Sequence, residues 1–243
     1  VDVLLSVVIP AKNEQDNIEP LVSEIVAALG SDYPFEVIYV DDGSTDNTYR
    51  VLRSLALSRF PQLRVLKHAY SVGQSTAVYT GVYHAKGELI VTLDADGQND
   101  PADIPALLDA AKSFSSSQCF CIAGYRKNRK DTAWKRFQSR IANGIRSRFL
   151  NDDTPDSGCG IKLFPRETFL KLPYFDHMHR FIPALVKRQG GEIRVVPVNH
   201  RDRRHGTSNY TMLSRLWVGI VDMFGVLWLQ RRAKIAQVVF EDE

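Results

Sequence analysis

Apolar residues recur along this chain in two rhythms. Short runs rich in β-branched residues, such as residues 4–10 (LLSVVIP), read as buried strands, whereas Ile18, Leu21, Ile25 and Leu29 repeat at helical spacing. The two patterns alternate through the first half. Strands are predicted at 4–10, 35–40, 63–67, 88–93 and 118–123, and helices between them at 17–29, 47–58, 73–85 and 101–114. The last of these helices has a proline near its start, where it fits. Such alternation implies an α/β fold, a mostly parallel central sheet with helices on both faces. Ligands of such sheets bind beyond the carboxyl ends of the strands.

Past residue 125 the pattern changes. Residues 125–132 (YRKNRKDT) are basic, and 133–150 are predicted as a helix with the apolar stripe Trp134, Phe137, Ile141, Ile145 and Phe149. A turn at 156–164 leads into a strand, 176–189 reads as a helix, 192–198 as a strand and 200–210 (HRDRRHGTSNY) as a basic loop. Residues 211–232 form a very apolar helical stretch, interrupted by Arg215 and Asp222 on nearly the same helix face. Its apolar arc is too wide for an ordinary surface helix, and Asp222 makes it too polar for a span. It ends on Arg231, Arg232 and Lys234, which suit anionic headgroups. The stretch is read as an amphipathic membrane-interface helix, or a pair broken at Gly219 or Gly225. A buried core helix or a dimer helix is the alternative, so a homo-oligomer stays open. The expected division is an α/β domain over 1–210 and an apolar interfacial helical segment and tail over 211–243.

Composition narrows the class. The chain has 243 residues, 44% hydrophobic and 24% charged, which is an ordinary globular balance and excludes disorder. A net charge of +3 and the lack of a recognition motif argue against nucleic acid as a partner. Cys119, Cys121 and Cys159 are too few and too odd in number for a disulfide framework, so a reducing compartment is expected. Residues 3–10 lack a basic leader, so no signal peptide is expected, and no run of 18 apolar residues predicts a transmembrane helix. His177 and His179, two apart on a predicted helix, point away from each other and make a poor metal pair.

The candidate chemistry sits at three strand ends. The first ends in Pro10-Ala11-Lys12-Asn13-Glu14, the second in Asp41-Asp42-Gly43-Ser44-Thr45-Asp46 and the fourth in Asp94-Ala95-Asp96. Ser44, Asp46 and Asp100 are suited to cap the helices that follow. Capping needs one acceptor and explains neither Asp41 beside Asp42 nor Asp94 beside Asp96. Two carboxylates at one strand tip either face water in an acidic turn or hold a cation between them.

With PAKNE, VDDGSTDNT and LDADGQ in register, the chain resembles glycosyltransferase family 2, with its Rossmann-like GT-A fold. DSGCGIK at 156–162 and RRHGTSNY at 203–210 further resemble the polyprenyl-phosphate branch, which includes dolichyl-phosphate mannose synthases and undecaprenyl-phosphate sugar transferases. The resemblance covers roughly residues 4 to 210. It implies that Asp94 and Asp96, with Gln98 as a neutral oxygen, hold Mg²⁺ or Mn²⁺ against the diphosphate of a UDP- or GDP-sugar. Pro10, Ala11, Asn13 and Glu14 would line the nucleoside, Ala95 would lie against the nucleotide, and Asp41 or Asp42 would accept hydrogen bonds from base or ribose. Gly73 would let the backbone approach the nucleotide. Relatives often carry Asn where Ser71 stands and Lys where Asn209 stands.

The same resemblance makes Asp156 the candidate catalytic carboxylate, as a general base or as a group orienting the acceptor. Arg203 would neutralise the departing diphosphate. Arg126, Arg136, Ser139 and Lys162 fall in segments that bind the acceptor phosphate in relatives. The implied activity is inverting transfer of one sugar to a polyprenyl phosphate at the cytoplasmic membrane face. A family 2 transferase with a soluble or polysaccharide acceptor is the alternative. A dinucleotide dehydrogenase is disfavoured, because no Gly-x-Gly-x-x-Gly follows the first strand.

Overall fold

The computed structural model describes residues 4–115, 117–126, 144, 148–202 and 212–234, with side chains from 218 onward in the last stretch. The strand–helix alternation carries through the first half. β1 (Leu5–Ala11), β2 (Phe35–Asp41), β3 (Leu63–Lys67) and β4 (Leu89–Thr92) are joined by α1 (Ile18–Leu29), α2 (Thr48–Ser58) and α3 (Gln74–His84). A 3₁₀ turn at Pro101–Asp103 and α4 (Ile104–Ala111) lead to β5 (Phe120–Arg126). Then follow β6 (Lys162–Pro165), α5 (Arg166–Leu170), a 3₁₀ turn at Met178–Arg180, α6 (Ile182–Arg188), β7 (Glu192–Val198) and α7 (Met212–Arg231).

Among the described residues the strands form one seven-stranded sheet in the order β3-β2-β1-β4-β6-β5-β7. All neighbours are parallel except β6, which runs antiparallel to both β4 and β5. Helices cover both faces. α1 buries Ile18, Leu21, Val22, Ile25 and Leu29 against one face, together with Leu52 of α2 and Leu107 of α4. α3, α5 and α6 cover the other through Val78, Val82, Phe169 and Leu185. Each such aliphatic side chain contributes about 1.5–3 kcal/mol when fully buried.

Two helices predicted as continuous are divided. In 176–189, His177 adopts a left-handed φ of 64°, Met178–Arg180 is a 3₁₀ turn, and α6 starts only at Ile182. Pro183 explains the break, since it has no N–H to donate inside a helix but fits its first turn. In 101–114 the first turn is 3₁₀, with the Asp100 side chain capping the Ala102 N–H. By contrast α7 is one helix of 20 residues, broken at neither Gly219 nor Gly225. Its Val226 is buried in the second core, the Gln230 amide donates to the carbonyls of Leu150 and Ala184, and Arg188 donates to the Leu229 carbonyl. Val221, Phe224 and Trp228 on its outer side are 53%, 57% and 59% exposed. No described helix is long and apolar enough to cross a membrane. Most of the predicted helix at 133–150 and the basic loop from 203 lie outside the described residues.

The amino-terminal edge of the sheet is closed by a polar knot. Glu36 of β2 accepts from Ser6 Oγ of β1 at 2.7 Å, from the Lys86 N–H at 2.6 Å and from Arg64 of β3. Ser6 Oγ in turn accepts the Gly87 N–H just before β4. Burial alone raises the Glu36 carboxyl, but these donors outweigh it and hold it below the usual range. A folded-state pKa below the unfolded one stabilises above the unfolded pKa and is lost as pH falls through the folded one. Glu36→Gln is therefore expected to lower stability by about 2–3 kcal/mol at neutral pH. The deficit should shrink as pH falls through the carboxylate range, read by urea denaturation at stepped pH.

Candidate active site

The direction of the strands gathers the chemistry. Because only β6 is reversed, the carboxyl ends of β1, β2, β4, β5 and β7 share one edge with the amino end of β6. Ala11 is paired with Asp41, and Thr92 with Lys162. A cavity of about 720 Å³ opens at this edge. Its lining includes Pro10, Ala11, Glu14, Asp42 and Gly73 from the first strand ends and the loop before α3. Asp94, Ala95 and Asp96, then Gly158, Gly160 and Lys162, and His179 with Arg180 complete it.

The first two strand-end motifs are stitched together. Asn13, left-handed with φ 56°, accepts the Thr45 N–H on its side chain and donates its own N–H to Ser44 Oγ. The Glu14 N–H donates to Thr48 Oγ1, and its carboxylate accepts from Asn17 Nδ2. Asp46 caps α2 through the Thr48 N–H.

Asp41 and Asp42 are divided by their partners. Asp42 Oδ1 meets His68 Nδ1 at 2.8 Å and the Val72 N–H at 2.9 Å, while Oδ2 accepts from Ser71 Oγ at 2.8 Å and the Gly73 N–H at 2.9 Å. Both oxygens thus take two partners, which fills the capacity of a carboxylate. Burial alone raises Asp42, and these donors bring it below its ordinary value. The carboxylate therefore shapes the 68–73 loop, including the positive φ of 99° at Gly73. Asp41 accepts the Ser44 N–H on Oδ1, whereas its Oδ2 is buried with no hydrogen-bond partner among the described residues.

Asp94 lies just past β4. Its Oδ1 accepts from Gln74 Nε2 at 2.9 Å, and its N–H donates to Asn99 Oδ1. Its Oδ2 lies over Gly160, where an added Cβ would stand 2.1 Å away. Only glycine at 160 lets the carboxylate rest there. Asp96 is 8% exposed and accepts the Gln98 N–H. Desolvation, then the Asp96 charge, raises the Asp94 carboxyl above the usual range; Lys162, Arg126 and Gln74 act against that. A divalent cation relieves both causes, and two carboxylates with room for phosphate oxygens are a donor set that hard cations take. Among the described residues no group of three or more His, Cys, Asp or Glu side chains could hold a metal, so the fit is to a cation shared with a ligand. Gln98 turns its amide nitrogen to the Arg201 carbonyl at 3.5 Å.

On the far side Asp156 and Arg126 form a buried fork, Nε to Oδ2 at 2.6 Å and the second guanidinium nitrogen to Oδ1 at 2.7 Å. Lys162 Nζ donates to the Cys159 and Ser157 carbonyls and so braces the 156–161 turn. The chain leading to Arg203 is fastened beside the carboxylate loop. The Arg201 N–H donates to the Gln98 carbonyl, its guanidinium to Asn99 O and Glu24, and Asn99 bridges His200. Arg203, Arg136 and Ser139 lie outside the described residues.

Sequence reasoning did not single out Gln74, Asn99, Gly160 or His179 as parts of the site. Gln74 was within reach of it, since it follows Gly73 on the same sheet edge. His179 was hidden by the reading of its segment as a helix.

The family model for glycosyl transferase family 2 matches residues 6–172. A dodecaprenyl-phosphate galacturonate synthase of Rhizobium johnstonii is 35% identical over 232 residues, covering 93% of this chain and 67% of the relative. An undecaprenyl-phosphate 4-deoxy-4-formamido-L-arabinose transferase of Edwardsiella ictaluri is 33% identical over 211 residues, covering 86% and 63%. The chain thus spans about two thirds of the length of these curated relatives. In fold it is similar to glucosyl-3-phosphoglycerate synthase of Mycobacterium tuberculosis, crystallised with Mg²⁺ and UDP. The TM-score is 0.69 at 18% identity, covering 96% of this chain and 80% of that one.

The Asp42 geometry carries its own test. Asp42→Asn turns an amide toward groups that need an acceptor, and should lower stability by about 1–3 kcal/mol. Faster hydrogen exchange at the Val72 and Gly73 amides is the accompanying sign.

Proposed function

The chain belongs to glycosyltransferase family 2, and from that premise we propose an inverting transferase that moves one sugar from a UDP- or GDP-sugar to a polyprenyl phosphate. The observation that carries this reading is the carboxylate pair Asp94 and Asp96, which lines one cavity together with Pro10, Ala11 and Glu14 and with the cations Lys162 and Arg180.

In this reading Asp94 and Asp96, with Gln98, hold Mg²⁺ or Mn²⁺. When bound, that ion offsets the negative charge of the diphosphate as it leaves. Pro10, Ala11, Asn13 and Glu14 shape the nucleoside end. The base or ribose is assigned to Asp41 or Asp42, of which Asp42 lines the cavity while holding the 68–73 loop. Ala95 and Gly73 let the nucleotide lie close to the backbone. Arg203 starts two residues past Arg201, and consecutive Cα atoms are about 3.8 Å apart. The role of Arg203 at the diphosphate rests on its place in the RRHGTSNY motif.

The acceptor phosphate is assigned to the Arg126 end, with Arg136, Ser139 and Lys162. A phosphate monoester is largely ionised at pH 7, with a second pKa of about 6. It needs little help losing a proton, so Asp156 acts by orienting Arg126 through their fork. The phosphate oxygen then attacks the anomeric carbon opposite the departing nucleotide. The outer side of α7, with Val221, Phe224 and Trp228 exposed and Arg231, Arg232 and Lys234 at its end, supports contact with an anionic membrane surface. The proposed location is the cytoplasmic side of the cell membrane.

Incubation with radiolabelled sugar nucleotide and polyprenyl phosphate, followed by lipid extraction, tests the reading. Label is expected in the organic phase; label confined to the aqueous phase or to polymer refutes the acceptor. Asp96→Asn should lower turnover about 10²–10³-fold, and wild-type metal-dependent turnover in that variant would refute the metal assignment. Asp156→Asn and Arg126→Gln should both raise the KM for the acceptor. Unchanged kinetics in Asp156→Asn would remove it from the site.

A further inference from the structure

We propose that His179 presents an uncharged Nε2–H donor to a hydroxyl of the transferred sugar, with Ser75 as the positioning residue that fixes its tautomer. The proposal rests on the donor reading above and names a sugar contact within it.

Two hydrogen bonds to one hydroxyl set the ring. The His179 backbone N–H donates to Ser75 Oγ at 3.2 Å, and Ser75 Oγ meets His179 Nδ1 at 2.7 Å. A backbone N–H only donates, so Ser75 is the acceptor in the first contact. Its own hydrogen and a second lone pair are both open to Nδ1, and we assign the tautomer in which Nδ1 accepts that hydrogen. A neutral imidazole that accepts at Nδ1 carries its proton on Nε2. The ring stays neutral because burial, then the charges of Arg180, Lys162 and His177, push its pKa down to about 3. The donor is therefore present across the physiological range and gains no charge there.

Place decides what it touches. Ser75 lies in the first turn of α3, and His179 in the 3₁₀ turn that packs on it. His179 lines the same cavity as Asp94 and Asp96, and its partner Ser75 follows Gln74, whose amide holds Asp94. A nucleotide sugar with its diphosphate at the carboxylates would carry its sugar within the same cavity, in reach of the His179 ring. A neutral single donor matches a hydroxyl. A phosphate would be met by charged groups, which the cavity carries separately on Lys162 and Arg180.

The test compares His179→Leu, His179→Gln and Ser75→Ala, using the sugar nucleotide that supports transfer in the extraction assay and the matching nucleoside diphosphate alone. His179→Leu should lower kcat/KM for the donor about 10²-fold, the loss expected when a sugar hydroxyl meets no partner. Its affinity for the diphosphate should stay within about twofold of wild type. His179→Gln, which keeps an N–H at similar reach, should recover most of the loss. Ser75→Ala should fall between, with the same split between sugar nucleotide and diphosphate. If His179→Leu does not fold, the Gln and Ser75 variants decide the matter by that split. Equal loss of diphosphate affinity, or a His179→Leu enzyme as fast as wild type, overturns the proposal while leaving the transferase reading in place. A wild-type protein that transfers no sugar overturns both.

Discussion

Two carboxylates stand one residue apart at the tip of β4, and the place of Asp94 disfavours its charge. Burial and the Asp96 charge raise Asp94, and Lys162, Arg126 and the Gln74 amide act against that. Much of the rest follows from keeping that pair in position. Gly160 has no side chain so that Asp94 can lie on it, and Asn99 holds the backbone of Asp94. Arg201 ties the loop beyond Asp96 to Glu24 at the middle of α1. Each of these contacts stands on the sheet beneath the pair.

That sheet is made rigid from its other edge. Ser6, Glu36 and Arg64 stand on three adjacent strands, and the Lys86 and Gly87 amides precede the fourth. One carboxylate therefore fixes the relative height of four parallel strands at their amino ends. Their carboxyl ends are left free to carry chemistry, so that one end holds register and the other binds. Asp42 plays a comparable part near the cavity, holding a loop by filling all its lone pairs.

The alternation, the parallel strands and the shared polar edge were legible because period-2 and period-3.6 patterns do not depend on distant contacts. So was the gathering of three motifs, since strand direction alone brings carboxyl ends together. Other features were not legible for equally physical reasons. Asp41 and Asp42 look alike in sequence; only the path of the 68–73 loop, more than 25 residues away, separates a saturated carboxylate from one with a free oxygen. The reversal of β6 leaves no mark in its hydrophobic pattern, yet it brings Lys162 beside Thr92 at the top of the sheet. The turn at His179 was read as helix because its apolar spacing suits one, and Pro183 was the warning. Arg136, Ser139 and Arg203 stay with the expectations drawn from resemblance.

The reversed β6 has a consequence for how this scaffold changes over generations. The chain leaves the sheet at Arg126 and returns at Lys162, and both points lie on the binding edge. The Arg126–Asp156 fork fastens that excursion again before it rejoins the sheet. A segment pinned at both ends can lengthen cheaply, since doubling a flexible loop adds only about 0.6 kcal/mol of closure entropy. Insertions early in that excursion leave the strand order unchanged, while Leu150, Cys159 and Ile161 on the returning stretch stay tied to the two cores. Register locks the first four strands, whereas chain length can change between two fixed points on the polar edge of the sheet.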